Sequence, residues 1–203
     1  MDIKSAPWRP TNSGTHRYSP MKQKIVVAVG GHGGSLFAKT LLDALARSTD
    51  RLAAVGVVMT DLARSDWEQT FGYPFAAADY PTFTVYGKKD FLAPFASGSA
   101  MYHAMIVCPC PLGLLGRVTA GVSDDLITRA TDVMLKERRR LIVVPHEAPY
   151  NLIHLRNMVK LTEAGAIVCP AVLTTGAGGE THAESAQVLT NTILSLAGLS
   201  PTG

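Results

Sequence analysis

The sequence has few cysteines, few charges and no long hydrophobic run. Its three cysteines are too few for the disulfide framework of a small secreted domain, which favours a reducing compartment and predicts a cytoplasmic protein. No apolar stretch approaches the roughly 20 residues of a membrane-spanning helix, and the N-terminus has no basic-then-apolar signal pattern. We therefore expect a soluble chain without a membrane partner.

A concentrated basic surface is also lacking. The formal net charge is only +3, and no dense run of Lys and Arg is interleaved with aromatic residues as a nucleic-acid groove requires. The longest basic cluster, Lys136 to Arg140, is typical of the solvated end of a helix. Nucleic acid is therefore not an expected partner.

Apolar residues are abundant enough for one core. They make up 47% of the 203 residues, and the chain is too short to bury a second core of similar size. Residues 1–22 contain Pro7, Pro10 and Pro20 and show no hydrophobic period, so burial cannot offset the entropy of ordering them. We expect a flexible N-terminal arm over residues 1–22 and a single domain over residues 23–203.

Buried strands and amphipathic helices alternate along that domain. The run 24–29 is continuously apolar and mostly β-branched, which is typical of a parallel strand covered on both faces. Further strands are predicted over 53–59, 105–108, 141–144 and 166–169, with helices after residue 35 and over 62–70, 123–135, 153–164 and 183–197; residues 72–95 are predicted to be irregular. Ser123 is the predicted cap of the third of these helices. The alternation predicts a doubly wound, three-layer α/β domain with its ligand at the carboxyl ends of the strands.

A glycine-rich turn joins the first strand to the first helix. It reads Gly30-Gly31-His32-Gly33-Gly34-Ser35. Glycines let backbone N–H groups approach an anion closely, and the helix N-terminus favours negative charge, so phosphate is the natural ligand. The spacing matches neither the dinucleotide fingerprint nor the Walker pattern. An unliganded tight connection is the alternative, and His32 either contacts a ligand or is an exposed loop histidine.

A second turn, Cys108-Pro109-Cys110-Pro111, ends the central strand, because prolines deny the sheet its backbone donors. A metal site needs a second Cys or His pair at ligand spacing, which the sequence does not contain. A disulfide between Cys108 and Cys110 is awkward across the intervening proline. Packing at a ligand-binding turn is the preferred interpretation.

Longer segments carry a family resemblance. These are Ser97-Gly98-Ser99, the Cys-Pro-Cys turn, Thr128-Arg129-Ala130-Thr131-Asp132-Val133-Met134-Leu135-Lys136-Glu137-Arg138-Arg139, and His146-Glu147-Ala148-Pro149-Tyr150. Their order over residues 24 to about 172 resembles the flavin prenyltransferases, FMN-binding flavoproteins once called aromatic acid decarboxylases. The resemblance implies a doubly wound sheet, FMN as cofactor, and a homo-oligomer built from trimers with FMN at the subunit contacts.

The resemblance also implies the cofactor-binding residues. Position by position they are Gly30, Gly31, His32, Gly33 and Ser35 in the first flavin loop; Thr60 in place of a phosphate-contacting serine; Ser97; Cys110, Pro111, Leu112, Gly113 and Leu114 in the second flavin loop; Arg129; and His146 in place of an arginine. No residue is assigned a catalytic role, and no metal ligand is expected.

Several positions depart from that family. Gly33 replaces the reactive-site serine, and the residues after Cys110 lack the hydroxyls and the lysine of the usual Pro-Cys-Ser-x-Lys-Thr loop. The tyrosine that follows Pro170 in the family is also missing. Arg129, Lys136 and Glu147 are present, and structural ion pairs or a helix-end charge would explain them without a ligand. The losses favour a substrate other than a prenyl monophosphate.

The expected function is therefore an FMN-dependent reductase. It would pass electrons from NAD(P)H or a protein donor to a small flat molecule, with dihydromethanopterin as the example supplied by family analogy. The alternatives are a flavin prenyltransferase using dimethylallyl phosphate, and a non-catalytic FMN carrier. A peptidyl-cysteine or pantothenoyl-cysteine decarboxylase is disfavoured, because Asn157, Met158 and His32 do not reproduce the spacing of those relatives.

Overall fold

The computed structural model describes residues 21–171 and 181–199. The strands are β1 (Gln23–Val29), β2 (Leu52–Met59), β3 (Phe83–Tyr86), β4 (Ala104–Cys110), β5 (Arg140–Pro145) and β6 (Ile167–Val168). The helices are α1 (Ser35–Ala46), α2 (Asp61–Phe71), α3 (Leu112–Thr119), α4 (Leu126–Lys136), α5 (Leu152–Glu163) and α6 (His182–Leu196). Among these helices, none is both long and apolar enough to cross a membrane.

The six strands form one sheet in the order β3-β2-β1-β4-β5-β6, and every neighbouring pair is parallel. The chain moves outward from β1 to β3 and then returns to place β4 on the other side of β1. The strand order therefore reverses between β1 and β4, which is where open parallel sheets bind ligands. The predicted doubly wound α/β fold is confirmed.

Both faces of the sheet are buried. In β1, Ile25, Val27 and Val29 pack into a core with residues of α1, α2 and α6, whereas Val26 and Ala28 pack into a second core with residues of α3 and α4. Residues 25–29 are at most 1% exposed. Because side chains alternate between the faces of a strand, a strand that is apolar at every position needs a helix layer on each side.

Two elements were not predicted from the sequence. β3 lies in the segment that was expected to be irregular, and it pairs with β2 at the edge of the sheet. Its four residues are too few to show the hydrophobic alternation of a strand. α3 begins directly after the second turn, where only a loop was expected. The helix was missed because Gly113 and Gly116 interrupt its apolar pattern.

The predicted start of α4 was also wrong. Ser123 is not its cap; the side chain of Asp125 accepts a hydrogen bond from the Thr128 backbone N–H at 2.9 Å, and the Thr128 hydroxyl accepts from the Asp125 N–H in return. This reciprocal capping box satisfies two otherwise free donors and outcompetes a serine two residues earlier. Of the predicted arm, residues 1–20 lie outside the described part of the chain, and its flexibility stays a prediction.

Candidate functional site

The two turns predicted from sequence meet at the carboxyl ends of β1 and β4. The Gly30 backbone N–H donates to the Pro109 carbonyl at 3.1 Å. A Cβ on Gly31 would lie 2.8 Å from Pro111 Cγ, and one on Gly34 would overlap the Pro109 ring. The close contact between the turns therefore requires glycine at these positions.

Gly33 differs from the other glycines of the turn. Its φ of +82° is in the left-handed region, and no atom outside its own neighbours lies within 4 Å of where its Cβ would be. The first turn therefore packs on the second turn through Gly31 and Gly34, and opens outward at Gly33. That open side is where a ligand can approach the backbone.

Asp66 of α2 organises the glycine turn, and sequence analysis missed it. Its carboxylate, in a residue only 3% exposed, accepts hydrogen bonds from the Gly33 N–H at 2.7 Å, the Ser35 N–H at 3.1 Å and the Ser35 hydroxyl at 2.5 Å. His32 Nδ1 lies 3.0 Å from the same carboxylate. A signal was available, since Asp66 shares the buried face of α2 with Ala63 and Trp67, and an acidic residue on such a face needs a partner.

The Asp66 carboxyl is held as an anion. Burial alone would raise its pKa, but the hydrogen bonds from the Ser35 hydroxyl and from the two backbone N–H groups, together with the nearby His32, outweigh burial and lower the pKa below its usual value. The turn therefore encloses a fixed negative charge of the protein itself.

Two further loops approach this turn. Nε2 of His146, after β5, lies 2.8 Å from the His32 carbonyl oxygen, while Nδ1 of His146 is buried without a described partner. Thr60, after β2, caps α2 by accepting from the Ala63 N–H, and its own N–H donates to the Val29 carbonyl at 3.0 Å. The predicted residues His32, Thr60 and His146 are thus brought to one edge of the sheet.

The second turn presents apolar groups and buried thiols. Leu112 and Leu114 are less than 10% exposed, and the Leu112 N–H lies 3.4 Å from a carboxylate oxygen of Glu147. Burial raises the pKa of the Cys110 thiol to about 12 and also raises that of Cys108. Both thiols are therefore protonated near neutral pH, which does not suit nucleophilic chemistry.

Ser97 and Arg129 belong to a neighbouring loop. Arg129 of α4 donates through Nε to the Ala96 carbonyl at 3.1 Å, and its Nη1 lies 3.5 Å from Asp132. Ser97 is exposed, and its hydroxyl lies 3.0 Å from that of Ser99. The described contacts of Arg129 fix the loop that carries Ser97, and do not link either residue to the glycine turn.

Comparison with known proteins supplies the family. The model of the family described as Flavoprotein matches residues 13–198. A flavin prenyltransferase UbiX from Pseudomonas aeruginosa is 39% identical over 160 residues, covering 73% of this chain and 77% of that protein. The crystal structure of AnUbiX (PadA1) with FMN and dimethylallyl pyrophosphate superposes with a TM-score of 0.81 at 34% identity, covering 89% of this chain and 94% of that one. A dodecameric FMN-dependent UbiX-like decarboxylase from Escherichia coli O157:H7 has a TM-score of 0.79 at 30% identity, with coverage of 88% and 95%.

These relatives overturn the expected reductase. The relative that is similar in sequence is named a flavin prenyltransferase, and the superposed complex holds FMN and dimethylallyl pyrophosphate, which agrees with the alternative and not with the preferred function. None of these proteins supports a nicotinamide donor or a pterin substrate. The missing loop side chains were a poor guide to function, because the similarity to flavin prenyltransferases spans most of the chain. With a family model that matches residues 13–198 and relatives of this identity, the chain belongs to the flavoprotein family, and its similar relatives are flavin prenyltransferases.

Proposed function

We propose that this chain is a flavin prenyltransferase, which binds FMN and joins to it the dimethylallyl group of dimethylallyl phosphate. The observation that carries the proposal is the convergence of the loops after β1, β2, β4 and β5 at the reversal point of the sheet, in a chain 39% identical to a flavin prenyltransferase over 160 residues. A ligand bound there would touch residues from four separate segments.

The residues at this edge fit FMN. Gly33 leaves open space at the turn, and the neighbouring second turn carries the apolar side chains of Leu112 and Leu114. Thr60 is the N-cap of α2, and the partial positive charge at this helix N-terminus favours a phosphate. Asp61 is the one acidic residue of the first turn, and its charge is balanced by an ion pair with Lys88. Bound FMN supplies the aromatic ring that accepts the prenyl group. The residues of the four loops would hold this ring and its phosphate.

The test is a single-turnover reaction of the reduced holoprotein. The purified full chain is loaded with FMN, reduced chemically in the absence of oxygen, and mixed with dimethylallyl phosphate. The flavin is then released, and its mass is measured by mass spectrometry. We expect a flavin heavier by one dimethylallyl group and a changed visible spectrum. Dimethylallyl alcohol, which lacks the phosphate leaving group, is the matched control and should give unmodified flavin.

A second measurement separates binding from transfer. Titration of the flavin-free chain with FMN reports whether the cofactor site exists, and it does so independently of the prenyl donor. Stoichiometric FMN binding together with unmodified flavin after incubation with dimethylallyl phosphate would contradict prenyl transfer. No FMN binding would contradict the whole proposal.

The proposal includes a homo-oligomer assembled from trimers, with FMN at the subunit contacts. The exposed face of α5 supports it, since only Leu161 of that helix is buried. Leu152, Ile153 and Val159 are between 56% and 66% exposed and border a hollow of about 450 Å³. Apolar residues grouped in this way on one helix usually mark an interaction surface, and the similar Escherichia coli protein is dodecameric.

A further inference from the structure

The backbone donors of the glycine turn are already in use. The N–H groups of Gly33 and Ser35 both donate to the Asp66 carboxylate, at 2.7 and 3.1 Å. In an ordinary glycine turn at a helix N-terminus, such donors are free to bind a phosphate. Here a carboxylate from α2 occupies that position, so a ligand phosphate cannot bind these two donors without displacing Asp66.

The Asp66 carboxylate also contacts the side chain of His32, which is exposed to solvent. Its Nδ1 lies 3.0 Å from Asp66 Oδ1, while its side chain is 57% exposed. An ionised carboxylate only accepts hydrogen bonds, so Nδ1 carries a proton and Nε2 is the nitrogen left for a ligand. The Asp66 side chain therefore selects both the tautomer and the orientation of the imidazole.

Ionisable groups from two other elements face His32. Asp66 faces it from α2 as a fixed anion, and His146 faces it from the loop after β5, where its Nε2 donates to the His32 carbonyl oxygen at 2.8 Å. Glu147, the residue after His146, has a carboxylate oxygen 3.4 Å from the Leu112 N–H in the second turn. Next to His32, Gly33 contributes no side chain where the resembling family has a serine.

We propose that His32 binds a phosphate monoester as an imidazolium through Nε2, and that Asp66 is its positioning residue. The proposal rests on the proposed function, because FMN and dimethylallyl phosphate each carry one phosphate monoester. An imidazolium between a carboxylate and a phosphate makes a charge-assisted hydrogen bond to each. The His32 side chain would thereby bind the phosphate in place of the backbone N–H groups, which Asp66 already occupies.

The experiment measures dissociation constants at pH 5.5 and pH 8.0, with the flavin-free full chain for the two flavins and with the oxidised, FMN-loaded chain for the two dimethylallyl ligands. The ligands are FMN, riboflavin, dimethylallyl phosphate and dimethylallyl alcohol, so each phosphate-bearing ligand has a partner without phosphate. The variants are His32→Gln, His32→Arg and Asp66→Asn, and His182→Gln at the exposed start of α6 is the matched control.

We expect His32→Gln to weaken binding of one phosphate-bearing ligand about tenfold at pH 5.5 and much less at pH 8.0. His32→Arg should restore that affinity at both pH values, because arginine keeps its charge, and Asp66→Asn should weaken it while flattening the pH dependence. Binding of the partner without phosphate should not change. A response with FMN and not riboflavin assigns the site to the cofactor phosphate, whereas a response with dimethylallyl phosphate assigns it to the prenyl donor.

Equal affinities of the wild type and His32→Gln for both phosphate ligands at both pH values would overturn this inference and leave the proposed function standing. If the wild type bound neither FMN nor dimethylallyl phosphate, the proposed function and this inference would fall together. A loss that His32→Arg did not restore, accompanied by equal loss for riboflavin, would indicate a purely structural role for His32 and would also overturn the inference.

Discussion

At the scale of single residues, the site depends on a buried carboxylate that connects two segments. Asp66 accepts three hydrogen bonds from the glycine turn and contacts His32 as well. Removing one partner of such a network leaves buried donors unsatisfied, which costs more than the bond itself contributes. The turn and α2 should therefore lose stability together when Asp66 is changed.

We predict that Asp66→Asn lowers the free energy of unfolding by about 2 kcal/mol at pH 7. The folded-state pKa of Asp66 lies below its unfolded value, so its contribution is fully present above the ordinary aspartate value of about 3.9 and is lost as pH falls through the folded value. Urea denaturation between pH 3 and pH 7 would measure the difference. Glu68→Gln, at an exposed position of the same helix, is the control and should change stability little.

A constant difference between the wild type and Asp66→Asn down to pH 3 would show that the charge of Asp66 does not contribute. That result would assign the effect to the shape of the side chain alone.

At the scale of elements, caps decide where helices begin. α4 starts at Leu126 because Asp125 and Thr128 form a capping box, and Asp125 also receives a hydrogen bond from Arg117 of α3 at 2.7 Å. That bond and the one from the Thr128 N–H lower the pKa of Asp125, although burial opposes them. The cap therefore joins two helices in addition to starting one.

Asp125→Ala should destabilise the protein by about 1–2 kcal/mol, whereas Ser123→Ala should be nearly neutral. The reason is that Asp125 satisfies a free backbone donor of α4 and pairs with Arg117, and Ser123 is not the cap. Thermal or chemical unfolding of the two variants side by side measures this. Equal losses of stability in the two variants would contradict the assignment of the cap to Asp125 in preference to Ser123.

At the scale of the whole molecule, one chain leaves the apolar face of α5 uncovered. Ile153 is 66% exposed, next to Leu152 and close to Val159. Burial of such side chains contributes roughly 1.5–3 kcal/mol each when they are fully covered. A second copy of the chain on this face would provide that burial.

Ile153→Glu is expected to reduce the mass of the assembly in solution, because a carboxylate placed in an apolar contact would lose its hydration. Val188→Glu on α6, where Val188 is 64% exposed, is the matched control and should keep the wild-type mass. Light scattering coupled to size-exclusion chromatography measures both. Unchanged mass for Ile153→Glu, or an equal decrease for both variants, would remove α5 from the subunit contact.

Much of the fold could be predicted because its signals are local. The strands β1, β2, β4 and β5 are apolar runs, α1 repeats apolar residues at helical spacing, and glycines follow α2 and α5, so a short window contains the pattern of each. β3 and α3 could not be predicted in the same way, since one has only four residues and the other contains two glycines. Both are held in place mainly by their neighbours in the fold.

The sequence by itself determined the doubly wound order of elements, the glycine turn after β1 and the edge of the sheet where the loops meet, since each follows from local pattern and from strand direction. Only the tertiary structure decided that Asp66 of α2 occupies the donors of that turn and orients His32. The function expected from missing loop side chains was wrong for a related reason. A list of lost residues does not show which other residues the fold brings to the same place. Contacts between segments distant in sequence depend on how α2 packs against the sheet, and no local pattern contains that information.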